Sequence, residues 1–372
     1  MSAPLQHFAV TLMVNHACNL RCNYCYTGAK FSAPMSWEIG AAGIDRAFRS
    51  LTPDGCLDVG FFGGEPLLEA RRILSWMNYA RTAPARHERR VRFNLTTNGT
   101  ITNAEAWQVM LSVDLELAIS FDGLPTVHDR HRRDTHGKGT APVVEATICQ
   151  VIHAGKACNV VIVVRPDNLE QIPEGLAYLY EKGVRQVNLS LDLWTAWKSA
   201  DGRRLRRSIE AAAEIWLQRL PEFSINWFDA KAAQLAQLPS TEPTSRCGFG
   251  AGELAIAPSG RLYPCERLIG EDRPENPLRL PGHALEGCDF LELSPAPFAR
   301  SSPCSKCALV SACDSSCRCS NFVRTGNVNQ PDGLLCALNK ASAKATADAL
   351  ARASCLVNRR MQQNSTERKY YA

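Results

Sequence analysis

No apolar run in this sequence approaches the roughly 20 residues that a membrane-spanning helix needs. The N-terminal Met1–Ala9 is too short and too polar for a secretory signal. These absences argue against a helical membrane protein and an exported one, and the compartment expected from them is the reducing cytoplasm. Charge of one sign is also scarce. With 42 basic and 37 acidic residues the formal charge is +5, too mild a bias to imply nucleic acid. There is no internal repeat and no low-complexity tract. The hydrophobic fraction of 45% and charged fraction of 21% are ordinary, which excludes disorder throughout. A chain of 372 residues buries a sizeable core, as two domains or one large one.

Cysteine is the one residue in excess, at 16. Three fall within Cys18–Cys25 and nine within Cys247–Cys336, while Cys56, Cys149, Cys158 and Cys355 are scattered. In a reducing compartment clustered cysteines bind metal or Fe–S more often than they form disulfides. The four scattered ones sit in or beside apolar elements and are expected to be buried core.

Up to about residue 235, short apolar runs alternate with amphipathic stretches. Strands are expected at Phe8–Val14, Leu57–Phe62, Val91–Thr96, Leu115–Ser120, Val160–Val164 and Gln186–Leu191. Helices are expected at Trp37–Ser50, Arg71–Arg81, Ala104–Leu111, Val143–Ala154, Pro173–Lys182 and Ser208–Leu220. This alternation means βαβ units and a parallel sheet, with chemistry at the carboxyl ends of the strands. Six units without obvious closure fit an α/β fold, a partial (β/α)6 barrel. Pro239 and Pro243 mark a boundary near residue 240. From there to Cys336 the chain is rich in Cys, Pro, Gly and Ser. It is expected to fold around bound metal more than around an apolar core. Ala337–Arg352 reads as a helix, and Asn364–Ala372 as a loose tail. The expected domains are therefore 1–240, 241–340 and 341–372. The basic runs Arg86–Arg90 and Arg203–Arg207 read as solvated faces.

Directly after the first strand stands Cys18-Asn-Leu-Arg-Cys22-Asn-Tyr-Cys25-Tyr26. Three thiolates in one loop can converge on a [4Fe–4S] cube, which Cys normally holds at all four irons. Three would leave one iron open. The alternative is a zinc site completed by a residue such as His16, although closed zinc sites usually show Cys-x2-Cys pairs.

The triplet Cys-x3-Cys-x2-Cys, with an aromatic before its last cysteine, resembles the signature of the radical S-adenosylmethionine (radical SAM) enzymes. Gly63-Gly64-Glu65-Pro66 after the second strand resembles that family's GGEP motif. Thr97-Asn98-Gly99 matches a common family turn. Ser120-Phe-Asp122-Gly123 with His128-Asp129-x-x-Arg132 resembles the region that contacts the ribose and carboxylate of SAM. The resemblance implies that SAM chelates the open iron and is cleaved reductively to a 5′-deoxyadenosyl radical. It implies GGEP at the SAM amino group, Tyr24 near the adenine and Arg132 on the carboxylate, a fork donor suited to a bidentate acceptor. An electron donor such as ferredoxin or flavodoxin is implied as a partner.

The second group reads Cys247, Gly260-x4-Cys265, Cys304-x2-Cys307-x5-Cys313-x3-Cys317, then Cys336. This resembles the SPASM extension of a radical SAM subset, which carries two further [4Fe–4S] clusters, three in all. The resemblance implies Cys247, Cys265 and Cys317 on one auxiliary cluster, and Cys304, Cys307, Cys313 and Cys336 on the other. The rival is a set of zinc knuckles. The first of these clusters has three assigned ligands. Its fourth iron is open, bound by substrate, or held by Cys288 or Cys319. Glu266 stands where sulfatase-maturing relatives carry an Asp that acts as a base, and Asp122 is an alternative base.

SPASM enzymes mostly modify ribosomally made peptides or proteins. The leading expectation is a maturase that crosslinks side chains of a precursor peptide by a C–C, C–O or thioether bond, or oxidises them. The alternative is a sulfatase-type maturase making formylglycine. A non-enzymatic Fe–S carrier is disfavoured, because it needs no SAM site. Because the first strand begins near residue 8, leader recognition is expected on a separate protein or inside the barrel, or else the substrate needs no leader.

Overall fold

The computed structural model describes residues 3–235, 248–293, 302–309, 313 and 317–367, with side chains to residue 353. Strand β1 (Leu5–Asn15) is followed by helix α1 (Trp37–Arg49), whose N-cap Ser36 accepts from the Ile39 backbone N–H. Then come β2 (Leu51–Gly63), α2 (Ala70–Thr82), β3 (Arg90–Thr97), α3 (Ala104–Met110), β4 (Leu115–Ser120), α4 (Pro125–His131) and α5 (Ala141–His153). They are followed by β5 (Cys158–Val164), α6 (Ile172–Glu181), β6 (Gln186–Leu191), α7 (Ser199–Gln218), β7 (Ser224–Ile225) and α8 (Asn226–Leu235). β1 to β6 lie side by side in chain order, all parallel, as a partial (β/α)6 barrel. The helices cover its outer face, and Phe8, Val10, Leu12, Leu57, Val59, Phe61, Phe93 and Leu95 are buried beneath them. Alternate residues face the barrel interior: Thr11, Asp58, Asn94, Thr96, Asn188 and Ser190. Phe62, Val161 and Val163 share that lining, which leaves room.

The C-terminal region departs from expectation. Strand β8 (Glu253–Ile256) adds in parallel to β1, and β9 (Leu262–Tyr263) pairs with it antiparallel. Leu254, Ile256, Leu262, Tyr263, Ile269, Ala284 and Phe290 are fully or nearly fully buried. The segment was short of long apolar runs. A two-sided edge extension needs only two- and four-residue strands, because the barrel supplies the other half of the core. Arg46 of α1 clamps it, donating to the carbonyls of His283 at 2.7 Å and Asp289 at 2.6 Å, with its guanidinium 4.1 Å from the Phe290 ring centre.

Short helices α9 (Ser302–Ser305) and α10 (Arg318–Thr325) precede the long α11 (Gly333–Glu367). α11 starts before Ala337 and covers the first part of the expected tail, since no Gly or Pro stops it. α7 likewise begins at Ser199, where Asp201 accepts from the Lys198 backbone N–H. Of the basic runs, Arg86 and Arg89 are half-buried clamps on the carbonyls of Arg81, Leu51 and Thr52. Cys56 and Cys158 are buried, but Cys149 is exposed. It falls on the face of α5 opposite Val144, Thr147, Ile148 and Val151. Cys355 lies outside the described side chains, and the boundary near residue 240 lies outside the described residues. Among the described residues no helix is long and apolar enough to cross a membrane.

Candidate active site

β1 ends at Asn15, whose side chain gathers both ends of the loop that follows. Its Oδ1 accepts from the N–H of Ala17 at 2.9 Å and of Ala33 at 3.0 Å, and its Nδ2 donates to Glu69 at 2.7 Å. This loop carries Cys18, Cys22 and Cys25 as free thiols. Donors surround the sulfurs: Leu20 N–H to Cys18 Sγ at 3.4 Å, and Lys30 Nζ to Cys25 Sγ at 3.1 Å. Burial pushes the Cys18 thiol up to about 11 and raises Cys22, which the Arg132 charge partly offsets. For Cys25 burial is outweighed by Thr27 and Lys30, and its thiol falls below the ordinary value. Three soft donors in one loop, Cys18 and Cys22 half-buried and Cys25 exposed, fit an Fe–S cube, in which each thiolate takes its own iron. His16, the fourth ligand of the zinc alternative, is stacked on Phe31 at 4.4 Å. Among the described residues no three His, Cys, Asp or Glu side chains close on one point as they do around a single ion.

The Gly-Gly-Glu-Pro loop crosses the end of β1 at van der Waals distance. A Cβ on Gly63 would lie 2.4 Å from the Asn15 carbonyl oxygen, and one on Gly64 2.2 Å from that of Ala17. The N–H groups of Gly64 and Glu65 donate to these same carbonyls at 2.9 Å. Pro66 opens the turn that follows. The Glu65 carboxylate is buried. It accepts from Thr97 Oγ1 at 2.8 Å, the Asn98 N–H at 2.7 Å and the Leu67 N–H at 2.9 Å. A carboxylate has about four acceptor sites, so one remains, on the cavity side. Glu65 thus ties β2 to β3 first, and can accept from an ammonium second. Asn98 in turn donates to Asn19 at 2.9 Å and approaches Cys18 Sγ at 3.9 Å.

Tyr24 and Arg132 meet at Asp122. The Tyr24 hydroxyl donates to Asp122 Oδ2 at 2.6 Å, and Arg132 Nε at 3.3 Å, while the Val163 N–H donates to Oδ1 at 3.1 Å. Arg132 and Arg165 stand 5.2 and 5.5 Å from the Tyr24 ring centre. Arg132 lines the cavity, and among the described residues its terminal amino groups have no partner. They are free to fork onto a carboxylate. The Asp122 side chain has no exposure and takes these three donors. It is therefore a support for Tyr24 and Arg132, not the alternative base expected from the sequence. Ser120, nearly buried, lines the same wall.

His128 locks this corner. Its Nδ1 accepts from the Asp122 N–H at 3.4 Å, so its Nε2–H donates to Thr140 Oγ1 at 3.0 Å, which donates to the Arg132 carbonyl at 3.0 Å. Burial and the Arg132 charge lower its pKa from 6.5 to about 2. A proton on Nδ1 would face an N–H donor. The unfolded chain takes up that proton below pH 6.5 and the folded chain does not, so stability falls as the pH drops. From this residue alone the slope is about 1.4 kcal/mol per pH unit between 6.5 and the folded value. Urea denaturation at pH 7.0, 6.0 and 5.5 is expected to show it, and His128→Asn to flatten it. An unchanged slope in the variant would refute this assignment.

In the C-terminal region Cys265, Cys317 and the unassigned Cys319 come together among Phe249, Leu268 and Phe322. Cys317 Sγ lies 3.4 Å from Cys319 Sγ. Cys304 and Cys313 lie close enough to Cys336 to add to the burial that raises its thiol, and the Cys307 N–H donates to the Cys304 carbonyl at 3.2 Å. Cys247 lies outside the described residues. The Glu266 carboxylate accepts from the Cys265 thiol at 3.4 Å, while Arg261 is taken by Asp272.

One cavity of about 960 Å³ joins these parts. Cys18, Cys22, Cys25, Tyr24, Gly63, Gly64, Glu65, Asn98, Ser120 and Arg132 line one side; Glu266, Arg267 and Cys317 line another. Between them Tyr26 stacks on Trp194 at 4.5 Å and faces Phe62 at 6.3 Å. Lys30, Arg165, Arg267 and Trp194 were not singled out from the sequence. A lone basic or aromatic residue in a loop carries no spacing signal.

Residues 12–179 match the Radical SAM superfamily. The serine-type anaerobic sulfatase-maturating enzyme of Klebsiella aerogenes is 25% identical over 295 residues, 73% of this chain and 69% of that protein. The structure of native anSMEcpe with bound AdoMet and Cp18Cys peptide superposes with a TM-score of 0.77 at 17% identity, over 94% of this chain and 99% of that one. Streptococcus suis SuiB bound to precursor peptide SuiA superposes with a TM-score of 0.61 at 15% identity, over 90% and 76%.

Proposed function

For a chain whose residues 12–179 are a radical SAM domain, and which is therefore an enzyme using SAM and a [4Fe–4S] cluster, we propose a peptide or protein maturase of the SPASM type with three clusters. It removes hydrogen from a substrate side chain and leaves a crosslink or an oxidised residue. The observation that carries this reading is the shared cavity, which has the SAM motifs on one side and Glu266, Arg267 and Cys317 of the C-terminal region on another, around one volume large enough for several residues of peptide. When bound, SAM and its cluster supply a 5′-deoxyadenosyl radical for hydrogen abstraction. Arg132 and the open acceptor site of Glu65 hold the two ends of the SAM amino acid, and Tyr24 flanks the adenine. Glu266 takes the proton that the substrate loses, and the C-terminal thiols hold the clusters that take its electron. The peptides in the two superposed structures support a peptide substrate. A ferredoxin or flavodoxin as reductant and a separate leader-binding protein complete the expected partners.

The anaerobic protein with dithionite is expected to form 5′-deoxyadenosine, and Cys22→Ala to reduce that to background. Co-expression with a candidate precursor peptide is expected to give a product lighter by two hydrogens whose tandem mass spectrum lacks fragments inside a ring. The formylglycine alternative is favoured by the Klebsiella relative and by Glu266. It predicts instead an aldehyde that hydrazine reagents capture. Absence of 5′-deoxyadenosine from iron-replete protein would refute both.

A further inference from the structure

Lys30 stands in the loop that carries the thiol triplet, and its ammonium is fully occupied. It donates to Cys25 Sγ at 3.1 Å, to the Gly28 carbonyl at 3.1 Å and to Thr27 Oγ1. An ammonium has three N–H donors, and here each meets one acceptor. The turn that presents Lys30 is held from two sides. The Ala33 N–H donates to Asn15 of β1, and the Ala29 N–H donates at 3.2 Å to Glu271 of the C-terminal region. Gly28 lets that region approach, since a Cβ there would lie 2.8 Å from Glu271 Cγ. Cys25, which Lys30 covers, is the exposed member of the triplet. Cys18 is approached by neutral donors, the Leu20 N–H at 3.4 Å and Asn98 Nδ2 at 3.9 Å. Among the described residues no cation other than Lys30 donates to a sulfur of the triplet.

A full positive charge on one thiolate acts on whatever charge the triplet holds. A [4Fe–4S] cube gains one negative charge on reduction, and hydrogen bonds to its sulfurs help to set its potential. We propose that Lys30 tunes the cluster on Cys18, Cys22 and Cys25, favouring its reduced state through a charge-assisted hydrogen bond to the Cys25 thiolate. The electron comes from an external one-electron donor. No bond to iron breaks, and Lys30 keeps its proton. Lys30 lines the cavity, but its three donors are used, so the SAM carboxylate stays with Arg132. Lys30 is therefore a positioning residue that acts through Cys25. Glu271 holds its turn in place, which gives the C-terminal region a hand in the reactivity of the N-terminal site. This role depends on the radical SAM cluster alone and is independent of the clusters assigned to the C-terminal region.

The test uses the full chain, reconstituted anaerobically, and follows the part of the reduced-state EPR spectrum that changes when SAM is added. Only the cluster that binds SAM gives that response, so other clusters do not interfere. The responding signal is titrated before SAM is added, to give its midpoint potential without turnover, and iron is measured alongside. Lys30→Met keeps the length of the side chain and removes its charge. It is expected to lower the potential, so that at a fixed applied potential the ratio of reduced to oxidised cluster falls about tenfold, or about 59 mV for one electron. Lys30→Gln, a neutral donor, is expected to fall less, and Lys30→Arg to stay close to the parent. A Lys30→Met protein with the iron content and potential of the parent would overturn the proposal. If Lys30→Met does not retain the cluster, Lys30→Gln against Lys30→Arg decides, and equal potentials in those two would overturn it. A parent without a SAM-responsive signal would overturn it together with the placement of the cluster on the triplet.

Discussion

Glu266→Gln is expected to cleave SAM as the unchanged enzyme does and to leave the peptide almost unmodified. Removing a positioned general base costs about 10²- to 10⁴-fold, and that loss should appear in product formation only. The carboxylates that line the cavity are otherwise engaged. Asp58 is held by Arg92 and His7, and Asp192 by Arg165. Glu65 accepts three hydrogen bonds at the SAM end. Glu266 stands beside the Cys265 thiol, where a proton and an electron can leave the substrate close together. The amide keeps size and shape, so cluster content should not change. Liquid chromatography of 5′-deoxyadenosine against mass spectrometry of the peptide separates the two steps. Equal product from Glu266→Gln would remove Glu266 from the chemistry.

Gly64→Ala is expected to abolish both steps. The added Cβ would sit 2.2 Å from the Ala17 carbonyl oxygen, next to the first cysteine of the triplet. Backbone cannot rotate away as a side chain can, so either the loop or the end of β1 must move. Overpacking of this kind costs about 1–3 kcal/mol, and here the strain falls on the cysteine loop itself. Iron retained after gel filtration should drop sharply, with 5′-deoxyadenosine formation lost in parallel and little change in helical circular dichroism. Gly202→Ala is the control, since its Cβ meets nothing within 4 Å and its backbone is helical. A fully iron-loaded, active Gly64→Ala enzyme would mean that the close crossing of the two loops is not required.

The sequence alone determined the barrel and the order of its strands. Four of the six strands are short runs stopped by Gly-Gly, Asn-Gly, Asp-Gly or Arg-Pro, and such local signals survive without tertiary information. The same holds for the thiol triplet and for Glu65, whose chemistry is written in consecutive residues. Only the tertiary structure decided how the C-terminal region packs, because β8 and β9 are too short to be read alone and borrow the barrel for their core. It also decided what each polar residue does. Asp122 and Glu65 are both acidic residues at strand ends and each accepts three hydrogen bonds, but the Glu65 carboxylate borders the cavity, whereas that of Asp122 is closed over by Tyr24 and Arg132. Cys319 and Cys288 were equivalent by spacing. Burial beside Cys265 and Cys317 separates Cys319 from the exposed Cys288, since such contacts depend on distances between segments that no stretch of sequence encodes.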